Sequence, residues 1–198
     1  ALAYGWHQAS TERYVTVAGS DHLPADFSAY NFGGRIETGY RFALPGAAKW
    51  WGQYGLTPYA ALQMQSFHTP SYSEAAASGS SLFALDYEGR STRTTRTELG
   101  SRFDWSFPVN ANAVLTLRSR AAWAHDHWSD PSVNATFISL PGANFTVIGA
   151  APASDLLLAS AGAEINFGNG FSLAAWFDGE FADNGQKYAG TGRLRYTW

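Results

Sequence analysis

His125, Asp126, His127 and Asp130 place two imidazoles and two carboxylates within six residues. Such a cluster offers nitrogen and oxygen ligands for a divalent ion, or an acid–base pair for hydrolysis. Serine, histidine and aspartate all occur in the chain, and His125 or His127 would be the candidate base. No G-x-S-x-G elbow or comparable local motif accompanies them. The plainer reading, a polar strand end running into a loop, is preferred. No catalytic, cofactor-binding or metal-binding residue is assigned.

A second constellation covers far more of the chain. In "RIETGYR" (35–41) and "RTELGSR" (96–102), arginines and glutamates alternate with apolar or small residues. On a strand, residues two apart share a face. Such sets suit a crowded, charge-paired interior better than a solvated surface, where lysine is common; this chain has only Lys49 and Lys187. Structural pairing is the first role expected of Arg35 with Glu37 and of Arg96 with Glu98. A wet pore lining is compatible with it.

Strands must position these charges, because a period of two recurs throughout and helical spacing is not sustained. Candidate strands cover roughly 1–17, 27–42, 55–68, 92–107, 111–126, 155–167, 171–182 and 187–198. "PVNAN" (108–112), "GNG" (168–170) and "ADNGQ" (182–186) read as tight turns. Long connections are expected at 18–26, 69–91 and 127–154. "AAASGS" (75–80) reads as a mobile loop tip, and "PGAN" (141–144) as the turn of a small hairpin. Trp50 and Trp51, in the connection 43–54, are candidates for interfacial anchors or for packing against the sheet's rim.

Phasing each of the seven strands from residue 27 onward by its apolar residues sorts them into two faces. One takes residues such as Phe32, Ile36, Leu99, Phe103, Leu117, Trp123, Leu157, Leu173 and Phe177. The other takes Arg35, Glu37, Arg41, Arg96, Glu98, Arg102, Asp104, Arg118, Arg120, Glu164, Asp178, Glu180, Arg193 and Arg195. The expectation is a clean segregation, with charges on one face and none on the other.

The 198 residues suggest one domain, 1–198. There is no cysteine, hence no disulfide framework or thiolate metal site, and a net charge of −3 gives no reason to expect nucleic acid as a partner. No apolar run approaches a membrane helix. A mean hydropathy of −0.21 looks soluble, but alternation cancels the two faces in the average. The wide apolar face, with aromatics gathered near strand ends, is similar to the lipid-facing band and girdles of an outer-membrane barrel. Strands this long fit a tilted membrane crossing of about 9–11 residues. In lipid every backbone polar group must be paired, which requires a closed sheet. The fold expected is therefore all-β, an antiparallel transmembrane β-barrel with about eight strands present and the charged face towards a lumen.

Six stretches, in order, resemble the C-terminal translocator (β) domain of bacterial autotransporters, the type V secretion proteins. They are "FGGRIETGYRF" (32–42), "LTPYAALQMQSF" (56–67), "RTELGSRFDW" (96–105), "RAAWAHDH" (120–127), "NFTVIGAAPASDLLLASAGAEI" (144–165) and "YAGTGRLRYTW" (188–198). The resemblance implies a twelve-stranded barrel of which this chain carries the C-terminal two-thirds, partial at the N-terminus and without the pore helix, either as a fragment or as a reduced barrel whose even number of strands allows closure. "ALAYGWHQAS" already alternates, as if cut from a longer precursor.

The resemblance further implies an integral protein of the bacterial outer membrane, in contact with its lipid. It would anchor an autotransporter and conduct its own N-terminal passenger to the cell surface, without a cofactor and without being an enzyme. Leu194, Tyr196 and Trp198 would form the C-terminal signal read by the barrel-assembly machinery. The alternatives are a small barrel whose extracellular loops bind a ligand or adhere, and a hydrolase built at a barrel rim.

Overall fold

The computed structural model describes residues 1–17, 19–44, 52–129, 132–150 and 152–198. Thirteen strands follow one another: β1 (Leu2–Val15), β2 (Asp21–Gly39), β3 (Phe42–Leu44), β4 (Gln53–Thr69), β5 (Tyr72–Ser73), β6 (Leu85–Tyr87), β7 (Arg90–Asn110), β8 (Ala113–Trp128), β9 (Ser132–Phe137), β10 (Asn144–Ile148), β11 (Asp155–Phe167), β12 (Phe171–Ala182) and β13 (Gly185–Tyr196). The long strands form one sheet in the order β1-β2-β4-β7-β8-β11-β12-β13, with β3 beside β4. Successive long strands are sheet neighbours, whether joined by a short turn or by the long connections after β4 and β8.

The connection expected at 18–26 is the main difference from the sequence reading. β2 begins at Asp21, and Val15 faces Asp21 across a short turn. Leu23 and Ala25 are buried there and keep the strand's period, which is why pairing runs on through Pro24. The turns at 111–112, 168–170 and 183–184 fall where turn chemistry placed them. Gly170 adopts φ 88°, a conformation costly for a residue with a Cβ. Trp50, Trp51 and Asp130 lie outside the described residues.

By contact density the chain divides into two compact units. The first is Ala1–Arg35, Gln63–Thr95 and His127–Ala151; the second is Ile36–Leu62, Arg96–Asp126 and Pro152–Trp198. In the first, the long connections are not structureless. They build a four-stranded sheet in the order β10-β9-β6-β5, with the hairpin expected at "PGAN" joining β9 to β10. "AAASGS" is not a free tip. Ala75 and Ala77 donate to the carbonyls of Pro24 and His22, and His22 donates to Ser78, so the stretch lies along the start of β2.

Glu74 anchors this connection, its side chain only 2 % exposed. Both of its oxygens take guanidinium N–H groups of Arg13, Oε2 also accepts the Leu85 N–H at 3.0 Å, and Oε1 accepts the Tyr87 hydroxyl at 3.3 Å. Burial pushes the carboxyl's pKa up, but the Arg13, Leu85 and Tyr87 hydrogen bonds outweigh it and hold the group below the usual carboxylate range.

Burial across the sheet is inverted relative to a water-soluble fold. Large apolar side chains are outside: Ile36 is 71 % exposed, Leu99 60 %, Leu173 53 % and Phe177 49 %. Among the buried residues are small alanines together with Glu98, Thr116 and Asp126. A soluble monomer rarely exposes so much contiguous apolar surface. Segregation of charge is not absolute, because Glu12, Asp26, Arg93 and Asp155 carry the apolar phase of their strands. All four lie within six residues of a strand end.

Leu99→Arg and Leu173→Arg therefore separate two environments. On a water-exposed face each should be within about 0.5 kcal/mol of neutral. In a bilayer each should cost about 2–4 kcal/mol near mid-strand. We expect the larger loss, read as folding free energy in lipid vesicles.

Acid should loosen the connection 70–89. A depressed folded pKa contributes stability that is fully present above the ordinary carboxyl pKa of about 4.3 and lost as pH falls through the folded value. Protection of the Leu85 amide against hydrogen exchange should fall as pH drops below the ordinary carboxyl range. Glu74→Gln should show fast exchange already at neutral pH and no further acid transition in this range.

Candidate functional site, a charge-paired face

In the second unit the charges form a lattice that runs between strands. Arg96 on β7 grips Asp126 on β8 with two hydrogen bonds, Nε to Oδ1 at 2.6 Å and Nη2 to Oδ2 at 2.7 Å. Its Nη1 reaches Glu180 on β12 at 3.1 Å, and Glu180 also accepts Lys187 Nζ of β13 at 3.0 Å. β8 and β11 lie between β7 and β12 in the sheet order. Flat spacing would separate those two strands by about 14 Å, so the sheet of this unit curls towards its charged face.

A second knot centres on Tyr59 of β4, which is 4 % exposed. Arg120 donates from Nε to the Tyr59 hydroxyl at 2.5 Å and from Nη2 to Glu98 at 2.6 Å, while the same hydroxyl donates to Glu98 at 3.3 Å. Arg102 passes over the Tyr59 ring, its guanidinium carbon 4.1 Å from the centroid, and ends on both oxygens of Glu37. Arg41 grips Asp104 in the same bidentate way, and Arg118 bonds Glu164 at 3.1 Å. Planar guanidinium–carboxylate pairs of this kind are among the stronger ion pairs. Buried carboxylates such as Asp126 and Glu98 could not otherwise remain charged cheaply.

The pairing described runs across strands. Glu37 meets Arg102, and Glu98 meets Arg120. Glu98 and Arg120 sit on adjacent strands, where neighbours are about 4.8–5.5 Å apart, closer than the roughly 7 Å separating i and i+2 along a strand; Glu37 and Arg102 lie two strands apart, joined across β4. Arg35 donates to Gln63 at 3.4 Å, and Arg193 stacks 4.8 Å from the Trp176 ring. Among the described residues, no ion pair reaches Asp178 or Arg195. A recess of about 470 Å³ opens on this face, lined by Arg41, Arg102, Arg118, Arg120, Asp178 and Trp176 among others.

Some partners were not singled out from the sequence. Asp126 shares the even phase of Arg118 and Arg120, a signal masked by its place among histidines. Tyr59 and Trp176 are aromatic, so composition gave no reason to put them beside arginines. Trp176 lies against Gly162, where a Cβ would come within 2.2 Å of the indole, so glycine makes room for the ring. A small apolar cluster of Tyr59, Ala61, Ala122, Ala124, Leu156 and Leu158 packs beside the lattice.

Among the described residues the His/Asp cluster does not assemble. Asp126 points to the charged face with Arg96. His125, of the opposite phase, shares Asp155 with the Trp123 indole N–H, both at 3.0 Å, and His127 is exposed. Among the described residues, no group of three or more histidines, aspartates or glutamates is close enough to hold a metal ion.

At the other end of the sheet order, Leu194 of β13 faces Leu173, and Tyr196 faces Phe171 with rings 4.6 Å apart. Trp198, just past β13, is 99 % exposed, its ring 6.5 Å from Tyr196.

No curated protein matches the chain closely enough to count as a relative. The Autotransporter beta-domain family model matches residues 1–178, nearly the whole chain and every strand of the charged lattice except β13 and the end of β12. With an antiparallel all-β sheet, large apolar residues outside and a paired charged face, the chain belongs to the autotransporter β-domain family, a family of outer-membrane translocator β-barrels.

Proposed function

We propose that this chain anchors an autotransporter in the bacterial outer membrane, as an integral barrel, and provides the route by which an N-terminal passenger reaches the cell surface. The observation that carries the reading is the inverted burial: large apolar side chains outside, with carboxylates such as Glu98 and Asp126 buried against arginines on the other face. On this reading the apolar face meets lipid. The residues from Arg35 to Arg195 assigned to the charged face line a wet lumen.

Such a lining suits an extended polypeptide. Its charges are already engaged with one another, so they hold the wall open without binding the passing chain tightly. Water in the lumen offers hydrogen bonds to the passenger's backbone, which an apolar wall would deny. Both compact units belong to one translocator domain, and the role is conduction and anchoring rather than catalysis. Leu194, Tyr196 and Trp198 present an apolar strip along β13 and just past it that suits recognition by strand addition, the mode expected of the barrel-assembly machinery.

Fusing a reporter domain upstream of this chain in its precursor tests the function. Surface display of the reporter is expected, and display should fall without loss of barrel when the lumen is blocked by a bulky side chain at Ser160. A barrel that assembles but leaves the reporter in the periplasm would refute conduction.

Topology gives a separate check. Protease added to intact cells should cut the β9–β10 turn (138–143) and spare 168–170. Cutting at 168–170 alone would invert the proposed orientation.

A further inference from the structure

The small sheet built from the long connections of the first unit is amphipathic in an unusual way. Its register aligns Ser73, Asp86, Thr136 and Asn144 in one row across four strands. Two residues along, Glu88, Asn134 and Thr146 form a second row on the same face, continued by Ser71 beside β5. The intervening row, Tyr72, Tyr87, Ala135 and Phe145, belongs to the other face, where Tyr72 stacks on Tyr87 at 4.7 Å and on Phe27 at 4.3 Å. The apolar side holds the sheet down, leaving the two polar rows as one surface.

That surface is not ordinary solvated sheet. It has no lysine or arginine, and all its side chains except Glu88 are short, with at most two torsions to immobilise. Several are already held: Ser73 donates to Asp86 at 2.5 Å, Asn134 donates to Glu88 at 3.0 Å, and Thr146 donates to Asn134 Oδ1 at 2.8 Å. A recess of about 520 Å³ opens over Asp86, Glu88, Asn134, Thr136, Asn144 and Thr146. Its size suits a small ligand or a few sugar rings.

We propose that this face binds a neutral saccharide. Ionised carboxylates only accept hydrogen bonds, amides both donate and accept, and hydroxyls do either. A ligand matching that mixture must itself carry groups that donate and accept at short intervals, which is the chemistry of vicinal hydroxyls. Among the described residues neither Asp86 nor Glu88 is in an ion pair, and two uncompensated carboxylates disfavour phosphorylated or uronic-acid sugars. A purely cationic ligand would leave the amide and hydroxyl donors unmatched. That the face looks outward from the cell rests on the topology proposed above. Binding by the purified protein does not depend on it.

The test uses the whole chain refolded in detergent and a panel of immobilised neutral oligosaccharides built from hexoses and N-acetylhexosamines. At least one should bind, and Asp86→Ala with Glu88→Ala should weaken it tenfold or more while the heat-dependent gel mobility of the folded barrel is unchanged. Asp86→Asn with Glu88→Gln keeps hydrogen-bonding capacity and should retain part of the affinity. Three results would overturn the proposal: no saccharide bound by the folded protein, binding indifferent to both double variants, or binding confined to calcium or to a lysine-rich peptide and abolished by the Asn/Gln pair. If the saccharide binds but the protease test inverts the orientation, the site stands and only its location is wrong.

Discussion

A carboxylate 1 % exposed must be paired or lose its charge, and Asp126 is paired twice over by Arg96. The architecture of the second unit follows from that constraint. Charges on one face of a sheet can be buried only if strands bring opposite charges into register. Here β7, β8, β12 and β13 supply one chain of pairs, and β2, β7 and β8 another, gathered around Tyr59 of β4. Removing one partner would leave the other buried and unmatched, a cost of about 3–5 kcal/mol. With the charged side satisfied, the large apolar side chains are free to face outward, and that face needs a solvent other than water.

Sheet alternation made much of this legible beforehand. Phe32, Ile36, Leu99, Leu173 and Phe177 were phased to one side by their own periodicity, and they are the large residues left exposed. β11 and β12 run over the residues expected, because each is bounded by turn residues that cannot extend the ladder. The start of β2 was missed for a physical reason. "DHLPAD" contains a proline and three potentially charged side chains, which read as a connection until Leu23 and Ala25 find something to bury against.

Partner choice was the least legible part. The sequence shows that Arg102 and Glu37 share a face, but not that a guanidinium crosses Tyr59 to join them. That depends on curvature, which alternation does not encode. The same holds for the long connections. Their strands are two to six residues long, too short for periodicity to announce them, and they acquire register only from one another. Glu74 was unremarkable in sequence, yet it ties the connection 70–89 to Arg13 of β1.

The central claim is the orientation of the two faces. The chain contains no cysteine, so single cysteines report cleanly. A fluorophore on a cysteine at Leu99 or Leu173, in vesicles, measures exposure to brominated lipid and to an aqueous quencher. The account predicts strong quenching by the lipid and little by the aqueous agent at both positions, with the reverse at Ser160 on the charged face. Aqueous quenching of Leu99 and Leu173 as strong as that of Ser160, with no effect of brominated lipid, would contradict it.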